Sequence, residues 1–221
     1  SILEELKSEQ YEWVDLSHGL NNESPCWSGI PAGSVGLCRT VFDWGNPIVE
    51  CLIQTFKFPG QFGTHIDFPG HFKALSEEYG VKHMIYPMVV VDVSDKVAAD
   101  VQYAVTAEDI KAHEEKYGEI PEGAFVALYN GWAKNWPDRD KISGIAPDGT
   151  EHAPGWSLEA LKYIYEVRNA AANGHETLDT DASAVAAEAG DLICERYVLR
   201  SGKVQLEVLN NLDRIAPTGA L

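Results

Sequence analysis

The sequence predicts an α/β protein built around a mixed β-sheet, and three observations lead to that class. Met88-Val89-Val90-Val91-Asp92-Val93 and Ala124-Phe125-Val126-Ala127-Leu128-Tyr129 are short β-branched and aromatic runs, the pattern of strands buried on both faces. Helix signals are fewer than strand signals and gather in the second half, which argues for mixed pairing rather than regular βαβ winding. At 221 residues, 45% of them apolar, the chain is long enough for one sizeable core, and residues 1–221 read as a single domain.

Taken in order, the first element with chemical content is Gln61-Phe62-Gly63-Thr64-His65-Ile66-Asp67. If it runs extended, side chains two apart share a face, so Gln61, His65 and Asp67 point one way while Phe62, Thr64 and Ile66 point the other. Phe68-Pro69-Gly70 then breaks the strand, because proline fixes its own φ and glycine permits a tight bend, and His71 is turned back toward the same pocket. Two histidines and a carboxylate within seven residues, in a chain with seven histidines in all, read as a metal site. After the 88–93 strand, Thr106 is placed to cap a charged helix that begins with Glu108 and Asp109 at the positive end of the dipole and ends at Gly118. After the 124–129 strand, a second helix is expected from Ser157, with Leu158, Leu161, Ile164 and Tyr165 as its apolar stripe, running to Asn173-Gly174. That would leave His175 and Glu176 just past a helix end. The alternation of Lys203-Val204-Gln205-Leu206-Glu207-Val208-Leu209 predicts a closing strand whose Gln205 and Glu207 share one face.

Composition narrows the function. Seventeen basic residues against 34 acidic ones give a formal net charge of −17, which repels nucleic acid and anionic membrane surfaces. No stretch approaches the roughly 20 consecutive apolar residues of a spanning helix, and the polar segment Ser1 to Gln10 lacks the apolar centre of a signal peptide. The first residue is serine, consistent with removal of an upstream segment. Cys26, Cys38, Cys51 and Cys194 form no Cys-x-x-Cys pair and are too sparse for a disulfide framework, so a reducing, cytoplasmic compartment is expected. His18 reads as structural, and His83, His113 and His152 lie in polar surroundings that read as surface.

The Gln61 to His71 segment resembles the His-x-Gly-Thr-His-x-Asp-x-Pro-x-His signature of the cyclase, or kynurenine formamidase-like, metal-dependent hydrolases, agreeing at all but the first position. Val14-Asp15-Leu16-Ser17-His18, Asn130-Gly131-Trp132, Pro154-Gly155-Trp156-Ser157 and Gly174-His175-Glu176-Thr177 extend the resemblance over nearly the whole chain. It implies the swivelling β/β/α fold, assembled as a homodimer or homotetramer. Two departures stand out: Gln61 occupies the first histidine's position, and Glu195 stands where the two-zinc kynurenine formamidases carry another histidine. The harder, oxygen-richer donor set shifts preference from zinc toward manganese. A glutamine at the first position is similar to the isatin hydrolase branch, which implies one manganese ion.

A bound divalent cation polarises a carbonyl and acidifies water, which suits hydrolysis of an amide, lactam or ester. Gln61, His65 and Asp67 are assigned as ligands to one divalent metal ion, manganese favoured and zinc the alternative. His71 is the expected general base or proton shuttle, with a ligand role as its alternative. Glu207 holds a water or supports the ligands. His175 contacts the leaving group or simply favours the helix dipole. Trp27, Phe62 and Trp132 are the candidates to hold a planar aromatic lactam or amide. The expected reaction is opening of an isatin-like cyclic amide. The alternatives are a dizinc arylformamidase and a non-catalytic member in which the ion clamps the fold or binds a carboxylate ligand.

Overall fold

A computed structural model describes residues 2–31, 33–42, 45, 52–72 and 84–221. Cys51 and His83 lie outside the described residues. Near the N-terminus stand a short helix α1 (Ile2–Leu6) and an antiparallel pair, β1 (Gly36–Phe42) with β2 (Ile53–Lys57). The described elements that follow are β3 (His65–Asp67), a 3-10 turn at Pro69–His71, β4 (Met88–Asp92), α2 (Ser94–Ala99), β5 (Ala104–Val105), α3 (Ala107–Tyr117) and β6 (Phe125–Tyr129). Next come α4 (Arg139–Ile142), β7 (Gly155–Trp156), α5 (Leu158–Lys162), β8 (Ala172–His175), α6 (Ser183–Ala189), α7 (Ile193–Arg200) and β9 (Val204–Glu207).

The central sheet has the order β3-β9-β8-β6-β4, with β4, β6, β8 and β9 parallel and β3 antiparallel at one edge, so the expected mixed α/β sheet is present. Its pleat divides the core in two. Val89, Val91, Val126 and Leu128 face α3, α5 and α7, where they meet Ile110, Leu161, Ile164 and Leu199. Met88, Val90, Phe125 and Ala127 face the other way and pack with Val204, Leu209 and Leu212. Covering on both faces is why β4 and β6 read as continuous apolar runs. The β4 edge is closed by the C-terminal segment, where Met88 N–H donates to the Ala220 carbonyl and Val90 N–H to that of Pro217.

Thr106 caps α3 as expected: its hydroxyl accepts the Asp109 N–H while Asp109 accepts the Thr106 N–H, and the helix stops at Gly118. The second expected helix is shorter than its pattern. Ser157 caps α5, which continues as a single π turn over Tyr163–Val167 and ends before Arg168. Residues 172–175 instead form β8, a buried central strand of the sheet. The small side chains of Ala172 and Gly174 permit this, since a Cβ on Gly174 would come within 2.9 Å of both Phe125 and Leu209. His175 is therefore the last residue of a strand and has no helix end beside it.

The extended run expected over 61–67 is likewise shortened to β3, because Gly63 adopts φ +63° and turns the chain. His18 is structural as expected, stacked on Trp136 at 4.6 Å with its backbone N–H donating to Thr64. His113, expected at the surface, is buried on α3 against Tyr117, and His152 is half-buried beside Thr150.

Candidate active site

Antiparallel pairing of β3 with β9 sets His65 opposite Glu207 and Asp67 opposite Gln205. Alternate residues share a face, so this register gathers four polar side chains on one patch of sheet. His65 Nδ1 lies 2.9 Å from the Gly63 carbonyl and donates to it, leaving Nε2 to face the acids, 3.6 Å from Asp67 Oδ1 and 3.5 Å from Glu207 Oε2. That nitrogen is buried and has no hydrogen-bond partner among the described residues.

A second group adjoins the first through Asp67. After the Pro69–His71 turn, His71 Nε2 stands 3.6 Å from Glu195 Oε1 on α7. Glu195 is held there because Asp181 caps the helix from a neighbouring segment, accepting the N–H groups of Cys194 at 2.8 Å and Glu195 at 3.0 Å. In each triad, His65/Asp67/Glu207 and Asp67/His71/Glu195, the candidate donor atoms lie within 4.8 Å of one another.

Two amides hold the shared carboxylate. Gln61 Nε2 donates to Asp67 Oδ1 at 3.1 Å, and Gln205 Nε2 donates to Asp67 Oδ2 at 3.3 Å and to Glu207 Oε1 at 2.9 Å. The Gln205 carbonyl in turn accepts the Thr180 hydroxyl at 2.7 Å. Thus Gln61 reaches the cluster from a bend, as a partner of Asp67.

Crowding three acids in one buried cluster splits their proton affinities. Burial alone would raise Asp67, but the His65 imidazole beside it, with help from Gln61 and His71, holds it below the ordinary carboxylate range. Glu195 is pushed up to about 8 by burial and by Asp179, Asp67 and Asp181. Glu207 is raised well above the usual range by burial and by Asp67, Glu195 and Asp179. An imidazole nitrogen without a protein partner, set between carboxylates that repel one another, is a donor set that a divalent cation satisfies.

His175 stands behind this cluster. It is fully buried, with Nε2 3.6 Å from Glu207 Oε1 and Nδ1 3.1 Å from the Thr177 carbonyl. Burial pushes its pKa down to about 3, so the ring is neutral at pH 7. It is absent from the lining of the cavity beside that cluster.

That cavity, about 300 Å³, is lined by Gln61, His65, Asp67, His71, Glu195 and Glu207 on one side. Pro25, Cys26, Trp27, Ile30, Phe72, Leu178 and Leu192 line the other. Trp27 lines this cavity and is 57% exposed. The other two aromatic candidates are elsewhere. Phe62 is buried and stacks on Phe58, in the bend that precedes β3. Trp132 is buried, donates Nε1–H to the Ile142 carbonyl and borders a separate groove of about 700 Å³. Its loop is tied to β8 by Glu176, which accepts the N–H groups of Asn130 and Trp132 and whose pKa burial pushes up to about 7. The Asn130-Gly131-Trp132 and Gly174-His175-Glu176-Thr177 segments therefore meet in space, and their joint is structural. The smaller cavity, not the larger groove, holds the ionisable clusters.

Residues 14–182 match the model of the Cyclase family, described as "Putative cyclase". An isatin hydrolase of Roseibium aggregatum is 28% identical over 166 residues, an alignment covering 72% of this chain and 62% of that protein. The chain thus spans less than two thirds of that relative's length. Isatin hydrolase A from Labrenzia aggregata, solved with benzyl benzoate, superposes with a TM-score of 0.81 at 27% identity, covering 93% of this chain and 83% of that one. Isatin hydrolase A from Ralstonia solanacearum superposes at 0.82 with 26% identity, covering 93% and 82%.

Proposed function

This chain belongs to the cyclase family, and from that premise we propose that residues 1–221 form one metal-dependent hydrolase domain that opens an isatin-like cyclic amide. The observation that carries the reading is the buried His65 Nε2, which faces Asp67 and Glu207 with no hydrogen-bond partner among the described residues. His65, Asp67 and Glu207 would hold a divalent cation, with manganese favoured over zinc because carboxylate oxygens outnumber nitrogen donors. When bound, such an ion supplies Lewis acidity toward a carbonyl oxygen and toward water.

The protein's own groups do the rest. Gln61 and Gln205 orient Asp67, and Gln205, itself held by the Thr180 hydroxyl, orients Glu207. The His71 side chain is 37% exposed at the cavity, and its Nε2 is the atom we assign to take a proton from the attacking water and return it to the leaving nitrogen. Trp27 offers a face to a planar ring, and a cavity of about 300 Å³ matches a small bicyclic ligand. Burial of a ring against Leu178 and Leu192 would displace water from the acids. Assembly as a homodimer or homotetramer is supported by the exposed apolar residues Ile53 and Phe56 on β2. No helix among the described residues is long and apolar enough to cross a membrane, and the free thiols of Cys26 and Cys194 support a cytoplasmic setting.

A second reading rests on the second triad. Because Asp67 is common to both groups, His71 and Glu195 would complete a paired centre of the kind an arylformamidase uses. Elemental analysis of protein purified without chelators, followed by manganese or zinc add-back against isatin and N-formylkynurenine, tests both. One manganese per chain with isatin opening is expected. About two zinc ions with formamide cleavage would favour the paired centre, and unfolding on metal removal without turnover of either compound would overturn both.

A further inference from the structure

The cavity that holds His65 has a neighbour. Trp27, Leu178, Asp179 and Leu192 bound both it and a second chamber of about 100 Å³, so the two spaces meet across these side chains. Four carboxylates, Asp140, Glu151, Asp179 and Asp181, line the smaller chamber against one guanidinium, Arg139. They differ in what they have left to offer. Asp181 is engaged by the backbone of α7, and Arg139, Asp140 and Glu151 are exposed, where solvent and salt weaken their fields.

Asp179 stands at the junction and is half-buried. Its backbone carbonyl accepts the Thr177 hydroxyl at 3.0 Å, but its carboxylate has no donor or cation partner among the described residues. Burial, then repulsion from Glu151, Asp181 and Asp67, pushes this group up to about 6. A half-buried carboxylate without a donor, facing a space large enough for a few heavy atoms, lacks only a cation or N–H group from a ligand.

We infer that Asp179 and the chamber behind it form a cation-selective substituent pocket, which favours substrates whose ring carries an aminoalkyl group remote from the scissile bond. The inference rests on the hydrolase reading for the placement of the amide at the His65 cluster. A divalent ion there would repel an ammonium while Asp179 attracts it, so the two ends of the ligand are sorted by charge. The net charge of −17 adds a general attraction for cationic molecules. A carboxylate substituent in the same place would meet Asp179 and Glu151 and be disfavoured.

The test compares kcat/KM for 5-aminomethylisatin, isatin and isatin-5-carboxylate with metal-loaded wild type, Asp179→Asn and Glu151→Gln. Calorimetric binding of benzylamine and benzyl alcohol to the same proteins gives a readout that needs no turnover. The amine is expected to exceed the carboxylate by about tenfold or more in wild type, and Asp179→Asn is expected to remove most of that ratio, with Glu151→Gln removing less. Benzylamine should bind more tightly than benzyl alcohol to wild type and lose that advantage in Asp179→Asn. Equal rates across the three compounds, a ratio unchanged in Asp179→Asn, or loss of bound metal in that variant would overturn the pocket. If no isatin is opened, the hydrolase reading falls, and the benzylamine comparison alone decides the pocket.

Discussion

Gly155 lies far from the cavity in sequence and touches no ligand candidate, yet Gly155→Ala should disturb the site. An alanine Cβ there would stand 2.5 Å from Ala182 N, 2.6 Å from the Asp181 carbonyl carbon and 2.7 Å from Thr180 O. All three are backbone atoms of one segment, so no side chain can swing away. Restoring an ordinary 3.4 Å contact from 2.5 Å requires that segment to move by about 0.9 Å. Thr180 on that segment donates to Gln205 at 2.7 Å, and Asp181 holds the first turn of α7 with Glu195 on it. A shift of that size stretches the Thr180 bond to about 3.6 Å, beyond hydrogen-bonding range. Overpacking of this kind costs about 1–3 kcal/mol, and disturbing the groups that orient metal ligands typically weakens metal affinity about 10–100-fold. Urea titration of the metal-free protein measures the first, and competition with a chromogenic chelator the second. Gly36→Ala, where a Cβ meets nothing within 4 Å, serves as the control. Wild-type stability together with wild-type metal affinity in Gly155→Ala would refute the packing argument.

Three further outcomes are expected. His65→Ala should reduce metal affinity by more than about a hundredfold, measured by equilibrium dialysis and elemental analysis, because it removes the imidazole nitrogen that faces both Asp67 and Glu207. Leu161→Ala, at a fully buried core position on α5, should cost about 2–5 kcal/mol in a urea titration without altering metal content. Arg168→Met should cost about 3 kcal/mol at pH 7, the low end for a buried pair because the Arg168 side chain is 21% exposed. Its pH dependence has a definite sign. Burial raises Glu114, but Arg168, the Ile120 N–H and the Tyr163 hydroxyl outweigh it and hold the carboxyl below its ordinary value. The pair therefore stabilises the fold above the unfolded carboxylate pKa, and that contribution is lost as pH falls through the lowered folded value. Urea midpoints of wild type and variant should accordingly converge toward acid.

Several parts of this fold were legible as local pattern. Thr106 and Asp109 announce the start of α3 because a capping box is satisfied within four residues. The β-branched runs of β4 and β6 announce buried strands because both their faces need apolar side chains. The helix pattern that began at Ser157 overran its true end, since Ala172-Asn173-Gly174 carries no apolar periodicity and its place in the sheet depends on Phe125 and Leu209. Among candidate site residues, His65 and Asp67 were readable from their spacing alone, as i and i+2 on one strand. Glu195 and Asp179 were not, because an acidic residue gives no local sign of whether it will be buried.

By itself, the sequence determined the strand and helix cores, the caps, and a His-x-Asp pair on one face of a short strand. Those are effects of period-two alternation, capping and turn chemistry, which act over a few residues. Only the tertiary structure decided that Glu207 faces His65, that Asp181 carries Glu195 to His71, and that Phe62 and Trp132 turn away from the cavity. The first depends on the β3–β9 register, where a one-residue slip would send Glu207 to the opposite face, and the others on packing between separate segments.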